Sequence, residues 1–596
     1  MLLDEIKKLL KTVEKYFSKE EELLKNIVLE DTIKMDKGLI KLLMSNEKSK
    51  NHFFIEIEGV LIFDKDKFIK FIENKEFLPN SYTTYKNKIG LTDNRGEFIK
   101  EKNDVVLSWA YKDCYLEGGQ DKEDMKKDEI LKALLKNEKY RLNYHLMPAK
   151  GLLNDPNGLV EKNGIYYVFY QWNDKECAHG AKKWGLYVSK DLINWEIKEI
   201  ALSPEEWYET HGCYSGSGIV VEDRINLIYT GNVKNEKDER ESYQCLAVEK
   251  SDGTFEKMGP IISKIPKGYT EHFRDPKVWQ EKDDYYMVIG AQNENLFGEV
   301  LLYTSKELKN WKLVGSIYNK NDMGYMIECP DLFELDKKTI LSYSPQGLEP
   351  QGDLYNNIFQ SGYVKGTVDY STGNFNWGNF VEFDRGFDFY APQTFLDNKG
   401  RRIMYAWMGI EEKEHPTIME ENWVHALTMP RELKLVNNKI IQKPLEEMKV
   451  LRENEVSFEN LLLENKLVLD GINGDSYELI VEFENSGSNC FGINLRKSEN
   501  EELTIKFEGE KLILDRNSTP FLSGSRACRI EGNTHKLHIF MDKSSVEIFY
   551  NDGVEVFTSR VFSSENAKEI EFFSDNSKVL LKKIEFYKLG NFIYSI

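Results

Sequence analysis

Five stretches of this chain repeat one another at intervals close to 60 residues, and that spacing restricts the fold more than any other feature. They run from Asn154 to Tyr170, Ser215 to Tyr229, Arg274 to Ile289, Glu328 to Tyr343 and Tyr390 to Trp407. In each, a polar or small-residue entry leads into an apolar strand, then a charged or Gly-containing turn, then a second strand rich in Tyr, Val and Ile. With Asp155, Gly216, Asp275, Asp331 and Ala391 taken as equivalent, the steps are 61, 59, 56 and 60 residues. A second marker trails at the same period, as Ser189-Lys190-Asp191-Leu192-Ile193-Asn194-Trp195, Ser251-Asp252-Gly253-Thr254-Phe255, Ser305-Lys306-Glu307-Leu308-Lys309-Asn310-Trp311 and Ser371-Thr372-Gly373-Asn374-Phe375. A period of this length with about four strands per unit fits the blades of a β-propeller. Five units predict a mainly β, five-bladed propeller whose innermost strands present their first residues at one mouth of the central channel.

Three of the five entries carry acid: Asn154-Asp155-Pro156-Asn157-Gly158, Arg274-Asp275-Pro276 and Glu328-Cys329-Pro330-Asp331. Any one of them reads as a turn, because Asp and Pro favour turns for local backbone reasons. Three at one phase of one repeat instead place three carboxylates in a common pocket. Paired carboxylates flanking a scissile bond are what glycoside hydrolysis requires.

Further boxes accompany these: Tyr144-His145-Leu146-Met147-Pro148, Phe169-Tyr170-Gln171-Trp172-Asn173, Gly212-Cys213-Tyr214-Ser215-Gly216-Ser217, Phe389-Tyr390-Ala391-Pro392-Gln393 and Met429-Pro430-Arg431-Glu432-Leu433. In this order they resemble glycoside hydrolase family 32, the invertases, fructan hydrolases and sucrose-6-phosphate hydrolases, over roughly residues 138–596. The resemblance implies a retaining mechanism on β-fructofuranosides. Asp155 would be the nucleophile and Glu328 the acid/base, a pair about 5–5.5 Å apart in most retaining enzymes, with one carboxyl kept protonated by its surroundings. Asp275 would bind fructose hydroxyls and stabilise the transition state, and Arg274 would hold Asp275 ionised and reach a sugar hydroxyl. Asn154, Gln171, Tyr214, Ser215 and Trp407 would line the fructose subsite, and His179 would stand above the sugar unless it is an ordinary loop histidine. Cys329, next to Glu328, is either a tuner of its environment or a small buried residue. One departure is Trp184-Gly185-Leu186, where relatives commonly have Trp-Gly-His, with a change in substrate preference as one consequence. The mechanism needs no cofactor and no metal.

Beyond Lys443-Pro444 the period is lost. Short alternating strands such as Tyr477 to Phe483, Lys536 to Met541 and Ser545 to Tyr550, separated by Asn, Gly, Asp and Ser turns, predict a β-sandwich over 453–596. A structural role against the propeller (138–444) is favoured for it over carbohydrate binding. Residues 1–128 form an α+β extension of a different kind. Met1 to about Leu42 reads as an amphipathic helical stretch, Phe53 to Ile57 and Val60 to Phe63 as strands, and Phe68 to Phe77 as a helix. The runs Lys75 to Thr83, Asn87 to Leu91, Asp104 to Ser108 and Lys112 to Gln120 resemble the N-terminal region of type III restriction-modification DNA methyltransferases. The region carries neither an Asp/Asn-Pro-Pro-Tyr/Phe box nor a Gly-rich cofactor loop, so it is not expected to methylate.

Charge narrows the partners. The chain has 80 Lys plus Arg against 100 Asp plus Glu, a net charge of −20, and residues 1–128 have 24 against 26. Neither balance offers the basic footprint of a nucleic-acid or anionic-membrane partner. No run approaches ~18 consecutive apolar residues, and Met1-Leu2-Leu3-Asp4-Glu5 lacks the features of a signal peptide. Seven Cys at scattered spacing suit a reducing compartment, so a cytoplasmic enzyme is expected. Imported sugars then become the candidate substrates: sucrose 6-phosphate, sucrose or short fructo-oligosaccharides. Lys182 and Lys183 are candidates for a phosphate rim, equally readable as solvated loop charges. A fructan exo-hydrolase, a furanosidase of other sugar specificity, a non-catalytic sugar-binding propeller and a DNA-modification accessory role remain alternatives, and homo-oligomerisation is left open.

Overall fold

The computed structural model describes residues 125–234, 239–410, 415–575 and 577–596, together with the backbone of six short strands between Leu39 and Ala110. The chain divides into two compact units, Met1–Glu123 and Asp124–Ile596.

In the first unit, Val60–Leu61, His52–Ile57, Leu39–Ser45 and Leu107–Ala110 form a four-stranded antiparallel sheet in that order, and Thr83–Tyr85 pairs with Lys88–Gly90. The strands expected near Phe53 and Val60 are present. The helical reading of Met1 to Leu42 ends too late, because Leu39–Ser45 is a strand whose Ile40 and Leu42 pair with Ile57 and Ile55. The helical spacing was carried by Leu3 to Val13, whereas Leu39 to Met44 is a nearly continuous apolar run, a pattern that periodicity alone does not assign. Residues 1–38 and the helix expected at Phe68 to Phe77 lie outside the described residues.

The second unit is a five-bladed β-propeller followed by a β-sandwich. The innermost strands of the blades are Gly151–Lys162, Cys213–Val221, Tyr269–Glu281, Met326–Leu335 and Tyr390–Leu396, and each leads antiparallel into the next strand of its own sheet. The trailing Ser…Trp markers are tight turns between the third and fourth strands. Ser189 Oγ accepts from the Leu192 amide at 2.8 Å, Asp191 Oδ1 accepts from the Ile193 and Asn194 amides, and Leu192 takes the left-handed conformation that closes the loop. Apolar side chains from facing sheets fuse neighbouring blades. Val160, Phe169, Trp184, Leu186, Leu227 and Tyr229 fill the space between blades one and two. Leu186, at the position of the Trp-Gly-His departure, is therefore part of this core.

Each innermost strand breaks register near its start: between Leu153 and Pro156, Tyr214 and Gly216, Arg274 and Lys277, Glu328 and Asp331, and Tyr390 and Gln393. Such bulges insert unpaired residues and re-aim side chains. Asp275, Cys329 and Ala391 sit on them with φ of +65°, +45° and +49°. Each is followed by Pro, which lacks the N–H that a ladder would need. Cys329, not Asp331, is thus the structural counterpart of Asp275, and Ser215 rather than Gly216 occupies the bulge of blade two. Asp331 is the first paired residue after its bulge. It is fully buried, accepts from the Thr394 amide at 2.8 Å and Thr394 Oγ1 at 2.7 Å, and lies 3.2 Å from Lys277 Nζ, so it ties blades three, four and five together.

The sandwich comprises two six-stranded sheets, one ordered Arg452–Leu463, Val579–Leu589, Tyr477–Asn485, Thr534–Asp542, Ser545–Tyr550, Glu555–Arg560, the other built on Lys466–Asn473 and Cys490–Lys497. Buried charge joins it to the propeller. Arg431 bonds Asp384 at 3.0 Å, Gln442 at 2.8 Å and Thr558 at 2.6 Å and also engages Glu547, while His145 lies between Asp542 at 2.8 Å and Glu547 at 3.0 Å. Two elements near the ends of the unit pack on blade one. Strand Ile593–Ser595 leaves the sandwich and pairs in parallel with Asn194–Ile197 at the outer edge of blade one. Helix Lys127–Leu134 packs Ile130 and Leu134 into the same core. Removal of Met1–Glu123 is expected to leave a folded propeller and sandwich. Extending the deletion through Leu134 should cost about 3–5 kcal/mol from two lost apolar side chains, readable by urea denaturation; equal midpoints for the two truncations would refute this.

Candidate active site

The bulges bring all three candidate carboxylates to one end of the channel. Asp155 and Glu328 are half-buried and Asp275 is buried. Cys329 stands among them: its amide donates to Asp275 Oδ2 at 3.0 Å, and its Sγ lies 3.6 Å from Asp155 Oδ2. The thiol is held protonated, its pKa raised by burial and by the carboxylates around it. A left-handed residue at 329 therefore sets the spacing of the whole group.

Asp155 is positioned from blades one and two. Gln171 Nε2 donates to Ser215 Oγ at 2.5 Å, and Ser215 Oγ donates to Asp155 Oδ2. Gln171 thus acts on Asp155 through Ser215. Burial, followed by the charge of Asp275, pushes the Asp155 carboxyl up to about 7. Asp275 is anchored through its own amide, which donates to Thr230 Oγ1 at 3.0 Å. Thr230 in turn donates to Gln244 Oε1 at 2.8 Å. Burial and the charge of Glu328 raise its carboxyl to about 6.

Glu328 is the most heavily hydrogen-bonded of the three. Arg274 donates to its Oε1 from Nη2 at 2.7 Å and from Nε at 2.9 Å, and Tyr390 OH and Gln346 Nε2 each donate to Oε2 at 2.7 Å. Burial opposes ionisation, but the Arg274 charge and these hydrogen bonds outweigh it and hold the carboxyl below its ordinary range. The Arg274 guanidinium pairs with Glu328 at 2.7 Å and lies 4.0 Å from Asp275, whose carboxyl its charge draws downward against the larger effects of burial and Glu328. Groups at such separations titrate together.

Of the remaining candidates, Asn154 is buried, with no hydrogen-bond partner for Oδ1 among the described residues. Trp407 meets Tyr390 and His179 edge-on at ring distances of 6.1 and 6.2 Å; His179 itself is exposed. Tyr214 is half-buried beneath the Arg240 guanidinium, 5.6 Å from its ring centre. Lys183 is committed to Asp174 at 3.0 Å, and Lys182 is buried. Among the described residues, no cluster of His, Cys, Asp or Glu has the arrangement of a metal site. Sequence reasoning did not assign Gln346, Thr230 or a role for Tyr390. Tyr390 stands in a recognisable box, but nothing marks Gln346, the last residue of an ordinary strand.

A five-bladed propeller with three carboxylates at one mouth and a sandwich behind it defines a glycosidase. Residues 145–444 match the Glycosyl hydrolases family 32 N-terminal domain, and 447–588 match the Glycosyl hydrolases family 32 C terminal domain. The chain belongs to glycosyl hydrolase family 32. It is 43% identical over 451 residues to the sucrose-6-phosphate hydrolase of Bacillus subtilis, covering 74% of this chain and 92% of that one. It is 37% identical over 479 residues to that of Staphylococcus xylosus, covering 79% and 97%. Among solved structures, sucrose-6-phosphate hydrolase from Lactobacillus gasseri superposes with a TM-score of 0.72 at 30% identity, over 79% of this chain and 98% of that one. A Bombyx mori family 32 β-fructofuranosidase superposes at 0.68 with 34% identity, over 79% and 99%. Residues 36–91 match the Type III restriction/modification enzyme methylation subunit, which overlaps the expected resemblance at 75–91.

Proposed function

We propose that the protein hydrolyses terminal β-D-fructofuranosides with retention of configuration, and that sucrose 6-phosphate is its substrate. The observation that carries this is the convergence of Asp155, Asp275 and Glu328, from the bulges of blades one, three and four, around Cys329. The relatives named as sucrose-6-phosphate hydrolases support the choice of substrate.

Asp155 attacks the anomeric carbon of fructose while the bond to the glucosyl oxygen breaks and Glu328 gives that oxygen its proton. Water then adds to the same carbon, Glu328 takes the water's proton, and Asp155 is released. For the first step Asp155 must be ionised and Glu328 must carry the proton. Sugar hydroxyls donating to Asp155 and Asp275 stabilise their ionised forms, and exclusion of water by the substrate disfavours a charged Glu328. Ser215, Gln171, Asn154 and Tyr214 hold the fructose, Trp407 supplies an apolar wall, His179 covers the sugar from the mouth, and Arg274 orients Glu328. No cofactor enters.

No helix of the described residues is long and apolar enough to cross a membrane, which fits a cytoplasmic enzyme meeting imported sugar. The test is kcat/KM for sucrose 6-phosphate against sucrose, read as fructose release. A preference of about a hundredfold, ~2.7 kcal/mol at the transition state, is expected. Equal values would leave a general fructosidase, and release from neither would remove the reading.

A further inference from the structure

A phosphorylated substrate poses an electrostatic problem here, since the pocket holds three carboxylates and the chain carries a net charge of −20. A phosphate dianion entering such a field requires a compensating cation on the side where the leaving group lies. That side is fixed by Glu328, which must reach the glucosyl oxygen.

Outward from Glu328 the structure places a short relay of basic groups. Arg274 bonds Glu328 from Nε and Nη2 and turns its Nη1 toward His272 Nδ1, 3.1 Å away. Because guanidinium only donates, Nδ1 accepts, and the proton of a neutral His272 lies on Nε2, facing away from Arg274. The neighbouring strand delivers Arg240 to the same place. Arg240 opens strand Arg240–Glu249, which is bound to the start of blade three by Ser242 Oγ donating to the Glu271 carbonyl at 2.8 Å. The Arg240 guanidinium lies over Tyr214 and has no carboxylate within 4.0 Å among the described residues, whereas Arg274 is engaged with Glu328 and Lys183 with Asp174. A half-buried arginine near Arg274 and His272, stacked on Tyr214 and not ion-paired among the described residues, has its donor fork available to an anion.

We propose that Arg240, with the Nε2–H of His272, forms the leaving-group subsite that binds the phosphate on glucose O6. This rests on the fructosidase reading above and adds the residues that select the phosphorylated sugar. It replaces Lys182 and Lys183 as the cationic rim, since Lys183 is paired with Asp174 and Lys182 is buried.

The experiment is kcat/KM on sucrose and on sucrose 6-phosphate for wild type, Arg240→Gln and Arg240→Lys, with calorimetric titration of each protein by glucose 6-phosphate and by glucose. Arg240→Gln is expected to lower the ratio of phosphorylated to free sucrose by about thirtyfold, most of the loss falling on the phosphorylated sugar, and to remove preferential binding of glucose 6-phosphate. Arg240→Lys should recover part of the ratio, more at low salt than at high. Equal losses on both sugars, or an unchanged ratio, would overturn the assignment. A wild type inactive on both sugars would defeat the fructosidase reading alone, because the glucose 6-phosphate titration still decides on Arg240. A wild type active on both without preference would retain the fructosidase and defeat the phosphate subsite. Should the Gln variant fail to fold, the Lys variant carries the same comparison.

Discussion

Asp155→Asn is expected to lower kcat for fructose release by at least about 10⁴-fold while leaving the thermal midpoint unchanged or raised, because the attacking oxygen pair is lost and no neighbour can replace it. Cys329 is the nearest alternative nucleophile, but its thiol is kept protonated by burial among carboxylates. The direction of the stability change follows from the titration of Asp155. Its folded-state carboxyl is raised to about 7 by burial and by Asp275, far above an unfolded aspartate at about 3.9. The folded state therefore binds the proton more tightly, and ionising Asp155 costs stability progressively as pH rises from about 4 to 7. Asparagine removes that cost and can still accept from Ser215 Oγ. Wild-type turnover in the variant would refute the nucleophile assignment, and a collapsed midpoint would assign the carboxylate to the fold instead.

Glu328→Gln is expected to slow sucrose 6-phosphate hydrolysis by about 10²–10⁴-fold and an aryl fructoside far less, since an activated leaving group departs with little protonation. The pH profile on the aryl fructoside adds a second readout. The Glu328 charge raises the carboxyls of both Asp155 and Asp275, so its removal lowers both. The acid limb, where Asp155 becomes protonated and unable to attack, should therefore move to lower pH in the variant. Equal losses on both substrates with an unmoved acid limb would count against Glu328 as acid/base. Movement of the limb without leaving-group dependence would make it an electrostatic neighbour only.

The propeller was legible in the chain because its blades repeat both the strand pattern and the turn chemistry of Ser189 to Trp195 and Ser305 to Trp311. The three carboxylates were legible because Asp155, Asp275 and Glu328 stand beside residues that a bulge requires. What could not be read was the phase within the bulge. Aligning identical letters paired Asp275 with Asp331, whereas the backbone pairs it with Cys329, a match of conformation between unlike side chains. The bond from Arg274 to Glu328 was hidden for a related reason: the two come from different blades, 54 residues apart, and sequence adjacency marks only Asp275. Gln346 and Arg240 reach the site from second and third strands, where a polar residue at a strand end is indistinguishable from a solvated one until the sheets are stacked.

The pairing of Ile593–Ser595 with Asn194–Ile197 has a consequence for biosynthesis. Every residue of the pocket has left the ribosome long before residue 593, yet the outer edge of the first sheet lacks its last partner until then. A polypeptide cut short by a handful of residues would hold the entire catalytic apparatus and also an open row of backbone donors and acceptors flanking Trp195. Such an edge invites pairing with another chain. Deleting Ile593–Ser595 should therefore promote edge-to-edge association of a protein whose pocket residues are all present.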